Sequence, residues 1–186
     1  MAVTAKDVIA IATKFADEKY VEGKNNDSIF GKWYGRNNIP WCAMFVSYAF
    51  AKAGAQAIVA KAQTAKGFHS CTAAVKHFAR TNQVIPAAKI QPGDIVFMNF
   101  RGTDEADHVG IAIKHNRITK KVYCVEGNTI NPNGTGDQVN GDGVYYKTRP
   151  YKNIVCAVRP SWKLVADKPV ADKPAVVKAA PLRKEL

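Results

Sequence analysis

The chain has 186 residues, 47% hydrophobic, 10% aromatic and 23% charged, which suffices for one sizeable core, not two, and excludes a disordered or fibrous protein. Its formal net charge is +12; residues 161–186 hold six Lys/Arg against three Asp/Glu, so +9 belongs to 1–160. A basic domain suits a polyanionic partner, but the lysines are scattered and no helix-turn-helix, zinc-finger or RNP-like pattern occurs, which argues against nucleic acid and for diffuse attraction to an anionic surface. The plain alternative is that the lysines serve solubility.

Thr4 with Asp7 reads as a helix start, and Val8, Ile11 and Phe15 follow helical spacing, so 5–20 is predicted as an amphipathic helix. Residues 21–40 read as a Gly/Asn-rich loop holding Trp33 and Tyr34. A second helix is predicted from Cys42 to about Lys52, stopped by Gly54 and apolar on all sides, hence buried. A third is predicted over 72–82. After Pro92–Gly93–Asp94 the pattern turns to strands, at 95–98, 109–113, 121–125, 144–146 and 154–158. Helices first and an antiparallel sheet second make an α+β domain over 1–160. Residues 161–186, where Val165–Ala166–Asp167–Lys168–Pro169 recurs at 170–174, read as an Ala/Lys/Pro-rich linker or tail.

Four cysteines stand at 42, 71, 124 and 156 without CxxC or zinc-finger spacing, so no metal centre is expected. Cys71, Cys124 and Cys156 read as reduced structural thiols. Asp17, Glu18, Glu22, Asn25, Asn26 and Asp27 form no D-x-D-x-D pattern, which argues against calcium. No stretch reaches membrane-spanning length, and the first residues lack the apolar core of a signal peptide, so synthesis in the cytosol is expected.

Cys42 carries the chemistry. It follows Pro40 and Trp41 at a predicted helix N-terminus, where backbone N–H groups and the helix dipole favour a thiolate. A neighbouring imidazole would lower a thiol pKa from about 8.5 to roughly 3.5–7.5. His108, opening a strand, would share the thiol proton and later protonate a leaving amine. Glu126, near the end of the next strand, would fix the imidazole tautomer, and Asn128 would assist that orientation or bind substrate. The Cys42 backbone N–H is the natural oxyanion donor. Trp33, Tyr34 and Trp41 flank the nucleophile and either line a substrate cleft or pack in the core. Each signal alone has an inert reading, such as a packed cysteine, a strand-capping histidine or a strand-end carboxylate. Their joint order carries the case.

Asn38–Ile39–Pro40–Trp41–Cys42–Ala43–Met44–Phe45–Val46–Ser47 resembles the nucleophile motif of the cysteine, histidine-dependent amidohydrolase/peptidase (CHAP) family. Gln91–Pro92–Gly93–Asp94–Ile95–Val96–Phe97, Asp107–His108–Val109–Gly110–Ile111 and Val125–Glu126–Gly127–Asn128–Thr129 resemble its later segments, and the stretch from Gly143 to Arg149 its closing hairpin. The resemblance implies a papain-like fold and cleavage of peptidoglycan amide bonds, with Cys42 as nucleophile, His108 as base, Glu126 as its orienter and Asn128 as auxiliary. It implies a phage endolysin, an N-acetylmuramoyl-L-alanine amidase or an endopeptidase. Such a protein would act as a monomer without cofactor and would wait in the host bacterial cytoplasm until released to the wall. Peptidoglycan and anionic wall polymers would be its partners. A cytosolic thiol amidase on a small peptide conjugate and a catalytically idle wall-binding module are the alternatives.

Overall fold

The computed structural model describes residues 2–134 and 137–165. Five helices precede a six-stranded sheet among these residues: α1 (Ala5–Asp17), α2 (Ile29–Tyr34), α3 (Cys42–Lys52), α4 (Gln56–Val59) and α5 (Cys71–Arg80), then β1 (Val84–Ile85), β2 (Ile95–Met98), β3 (His108–Asn116), β4 (Lys121–Thr129), β5 (Gly143–Pro150) and β6 (Ile154–Val158). The sheet order is β1-β6-β2-β3-β4-β5, and every neighbouring pair is antiparallel. The α+β class expected from the sequence is the one observed.

The first helix stops at Asp17, short of the predicted residue 20, because Lys19 takes a left-handed conformation (φ 53°) that a helix cannot continue through. The predicted loop 21–40 contains α2, a single capped turn and a half. Ser28 accepts a hydrogen bond from Gly31 N, and Gly35 ends the helix at φ 92°. Six residues are too few for helical periodicity to register in the sequence. The same applies to α4 and to the two-residue β1. Helix α5 begins at Cys71, one residue before the predicted start, with Ser70 as its cap, and ends at Arg80 rather than 82.

Helix α3 is buried on nearly every side, as its apolar sequence requires, and packs against β3 and β4. Around its first turns lies an aromatic cluster centred on Phe30. That ring stacks on Trp41 at 4.9 Å and meets Phe15, Tyr20, Phe45 and Tyr48 edge-on at 5.0–5.2 Å. These contacts join α1, α2 and α3 into one wedge against the sheet. Strand β2 is buried on both faces. Ile95 and Phe97 enter the main core, while Val96 and Met98 join a smaller cluster with Ile90, Ala112, Val122, Cys124 and Ala157. Two covered faces explain why the strand reads as an unbroken apolar run.

Residues 161–165 open the segment expected as a tail. Trp162 stacks on Phe50 with centroids 6.1 Å apart, and Val165 is buried. The rest of that segment, 166–186, lies outside the described residues. No helix among the described residues is long and apolar enough to cross a membrane.

Candidate active site

Cys42 is the first residue of α3. The residue before it, Trp41, caps the helix with a non-helical backbone (φ −120°, ψ 13°), and no side chain caps the first turn. Elsewhere Ser28 and Ser70 satisfy the opening N–H groups of α2 and α5, and the Asp7 carboxylate closes back on Thr4 N at 2.9 Å. Helix α3 has no such cap, which leaves its positive end to the Cys42 side chain. The Ala43 N–H bonds the Cys42 sulfur.

His108 opens β3 and is fully buried. Its Nε2 donates to Glu126 Oε2 at 3.0 Å. Its Nδ1 faces the Cys42 thiol. Among the described residues, His108 Nδ1 is the one buried side-chain nitrogen or oxygen that makes no hydrogen bond. The histidine is thus held by one ring nitrogen and presents the other to sulfur.

Glu126 is fully buried too, and a second group holds it. Arg149 Nε donates to Glu126 Oε1 at 2.8 Å, and Arg149 Nη2 donates to Oε2. Arg149 is itself fixed by Gln138 Oε1 (3.0 Å) and Thr129 Oγ1 (3.4 Å). Its guanidinium lies over the Phe100 ring at 4.5 Å, and that ring meets the His108 ring edge-on at 5.9 Å.

The electrostatics follow from these contacts. Burial alone would push the Glu126 carboxyl up, but bonds from Arg149 and His108 outweigh it and hold the value at about 2. Burial likewise works against a charged His108, yet its bonds to Cys42 and Glu126, with their negative charges, raise it to about 9. The Cys42 thiol is drawn well below its ordinary value. A hydrogen bond from Cys71 is the largest cause, burial opposes it, and the bond and charge of His108 add to it. These shifts favour a thiolate–imidazolium pair backed by a carboxylate.

Two glycines make this geometry possible. Gly110 pairs with Glu126 across β3 and β4, and a Cβ there would stand 2.6 Å from Glu126 Cγ. Without a side chain at Gly110, Glu126 lies across the strand toward His108. Gly127 faces the nucleophile helix, where a Cβ would come within 2.6 Å of the Trp41 ring and 2.7 Å of Phe45. The missing side chain lets α3 approach β4 closely.

The structure brings Cys42, His108 and Glu126 together and separates the other expected site residues from them. Asn128, left-handed at φ 55°, turns from His108 to the helix entrance. Its Oδ1 accepts from Trp41 N at 2.7 Å, while its Nδ2 donates to Gly141 O, Asn26 and Asn140. Its amide is consumed in fixing the chain just before Cys42, so it orients the nucleophile's helix rather than the base. Trp41 has no exposed surface to offer a substrate: it stacks on Phe30, and its Nε1 donates to Glu22. Tyr34 is also buried, with its hydroxyl on Thr64 and Gly67 O. Trp33 keeps a partly exposed ring, with Lys66 over it at 5.7 Å.

Sequence reasoning missed two residues of the site. Cys71, read as a packing thiol, sits beside Cys42, and the two thiols shift each other in opposite directions. Arg149 was noticed only as part of a hairpin. A lone arginine ending an alternating strand was the available signal for it, but nothing in the sequence ties it to a glutamate 23 residues earlier. All four cysteines are free. No group of three or more His, Cys, Asp or Glu side chains among the described residues could hold a metal ion.

Comparison with curated proteins and with solved structures gives no match in either case. The model of the NlpC/P60 family does match, over residues 32–156, a span that runs from α2 to β6 and includes Cys42, His108, Glu126 and Arg149. With more than half of the chain matched, helices leading into an antiparallel sheet in the papain-like manner, and a thiol, imidazole and carboxylate in contact, the chain belongs to the NlpC/P60 family, a family of cysteine peptidases and amidases.

Proposed function

We propose that this protein hydrolyses an amide bond of bacterial peptidoglycan through a thioester on Cys42. The supporting observation is His108, anchored to Glu126 by Nε2 and left with Nδ1 for the Cys42 sulfur. The thiolate attacks the carbonyl carbon and forms a C–S bond as the carbonyl electron pair moves to oxygen. The Cys42 N–H, at the uncapped end of α3, stabilises that oxyanion. As the C–N bond breaks, the His108 imidazolium gives its Nδ1 proton to the departing amine. Neutral His108 then takes a proton from water, whose oxygen attacks the thioester, and the C–S bond breaks to return the thiolate.

The substrate class rests on the family and on charge. A +9 excess on 1–160 favours an anionic surface, and wall polymers supply one. Within this frame the reading is a CHAP-like phage lysin, on the strength of the Glu126–Gly127–Asn128 segment and the motif order around it. Its setting would be the host cytoplasm until release to the wall.

Mass spectrometry of purified peptidoglycan digested with the protein, beside a Cys42→Ala control, tests the proposal. Stem peptides beginning with L-Ala and released from intact glycan identify an amidase. Cuts within the stem or cross-bridge identify an endopeptidase. Absence of any Cys42-dependent product across wall types overturns the peptidoglycan reading.

A further inference from the structure

We propose that Arg149 is a positioning residue of this site, acting through Glu126 and His108 to keep the Cys42 sulfur in its reactive thiolate form. The inference rests on the reading of Cys42 as nucleophile and His108 as its base.

Glu126 has no contact with water, and a buried carboxyl left alone takes up a proton rather than remain charged. Among the described residues its two oxygens hydrogen-bond to His108 and Arg149, while the Lys147 ammonium adds a more distant positive charge. If His108 were its sole partner, the two buried groups could relax to a neutral acid and a neutral imidazole by passing one proton between them. The His108 charge beside the thiol would then vanish. A guanidinium cannot give up its proton. Arg149 therefore makes Glu126 a permanent anion, which in turn makes the imidazolium the favoured form of His108.

Geometry adds to charge. The guanidinium fork reaches both carboxylate oxygens, which fixes the carboxyl plane and, through Oε2, the tilt of the imidazole. Phe100 touches both groups, with the guanidinium over its face and the imidazole edge-to-face with it, and so limits their movement. Arg149 pairs with Val122 in the β4–β5 ladder, four residues from Glu126, so a long side chain is required to span the gap. Lysine is long enough but carries a point charge without the fork.

The test titrates Cys42 by its rate of alkylation with iodoacetamide against pH, with the modified cysteine located by peptide mass spectrometry. Five proteins are compared: wild type, Arg149→Met, Arg149→Lys, Glu126→Gln and the Arg149→Met/Glu126→Gln double variant. In Arg149→Met the midpoint is expected to rise by more than one pH unit, and the rate at pH 6 to fall about tenfold or more. Arg149→Lys is expected to recover part of that shift. In the Glu126→Gln background, Arg149→Met is expected to add nothing, because Arg149 acts only through the carboxylate. A lowered melting temperature with an unmoved midpoint, in Arg149→Met or, should that variant not fold, in Arg149→Lys, would show a structural role only and overturn the proposal. An equal shift with and without Glu126 would overturn it as well. The readout needs no wall substrate, so failure to cleave peptidoglycan would sink the proposed function and leave this test intact.

Discussion

Cys42 and Cys71 occupy the same kind of position, the buried first residue of a helix, and are shifted in opposite directions. Burial works against the thiolate at both. A hydrogen bond between the two sulfurs stabilises charge on Cys42 and removes it from Cys71. The asymmetry comes from their other neighbours. Cys42 has the His108 imidazole beside it, whereas Cys71 faces the negative charge of Asp107 as well as that of Cys42. Ser70 also occupies the first turn of α5, while α3 starts without a side-chain cap. A helix N-terminus is therefore not enough to make a nucleophile; the cation at its mouth decides.

Exchanging the sulfurs for methyl groups gives the largest contrast. Cys42→Ala is expected to reduce wall-hydrolysis rate to background, while Cys71→Ala retains turnover within about tenfold of wild type, since no bond-making step passes through its sulfur. Turbidity clearing with both variants checks this. Equal losses would mean that the pair acts as a unit.

Removing the histidine should make Cys42 behave like Cys71. His108→Ala is expected to cost about 10²–10⁴-fold in turnover, the range typical of a general acid-base group. It should also move the alkylation midpoint of Cys42 up toward that of an ordinary thiol. A low midpoint surviving the change would assign the activation to the helix end instead.

The pH response is smaller and has a sign at each end. Activity requires the protonated imidazole, so kcat/KM should decline on the alkaline side as His108 loses its proton near pH 9. Stability has its own linkage. The folded value of Glu126 is depressed from 4.5 to about 2, so its contribution is complete above pH 4.5 and is lost as pH falls through about 2. The folded value of His108 is raised from 6.5 to about 9, so its contribution is complete below pH 6.5 and is withdrawn as pH rises through about 9. Melting temperatures from pH 2 to 10 should trace both edges, and Glu126→Gln should remove the acid one.

The same contrast marks how far the sequence could be read. Helix α3 was legible because eleven residues of apolar and small side chains leave little choice but burial, and the strands from β2 onward were legible as β-branched and apolar runs bounded by turn residues. Cys42, His108 and Glu126 were legible because each stands at or near an element end, in the order the chemistry uses. Cys71 was hidden because its importance is a contact between two helix starts 29 residues apart, which no periodicity encodes. Arg149 was hidden for the same reason, as a cross-strand partner on β5. Trp41 misled: an aromatic beside a nucleophile suggests a cleft, but the ring turns inward onto Phe30. Asn128 misled differently, since its left-handed backbone carries the amide to the Trp41 N–H.

The smallest expected effect is also the finest probe of the sulfur pair. If Cys71 acts on Cys42 as a hydrogen-bond donor, a hydroxyl in its place should do much of the same work, while a methyl group should not. Cys71→Ser is then expected to leave the Cys42 alkylation midpoint close to wild type, and Cys71→Ala to raise it. His108 still supplies a bond and a full charge, so the sulfur remains a thiolate near neutral pH in either variant. Turnover at neutral pH would change little in either variant, because the thiolate remains the major form, so the difference belongs in the acid limb of the rate profile. Matching midpoints for serine and alanine would mean that the sulfur of Cys71 only fills space, and that the histidine alone separates the two cysteines.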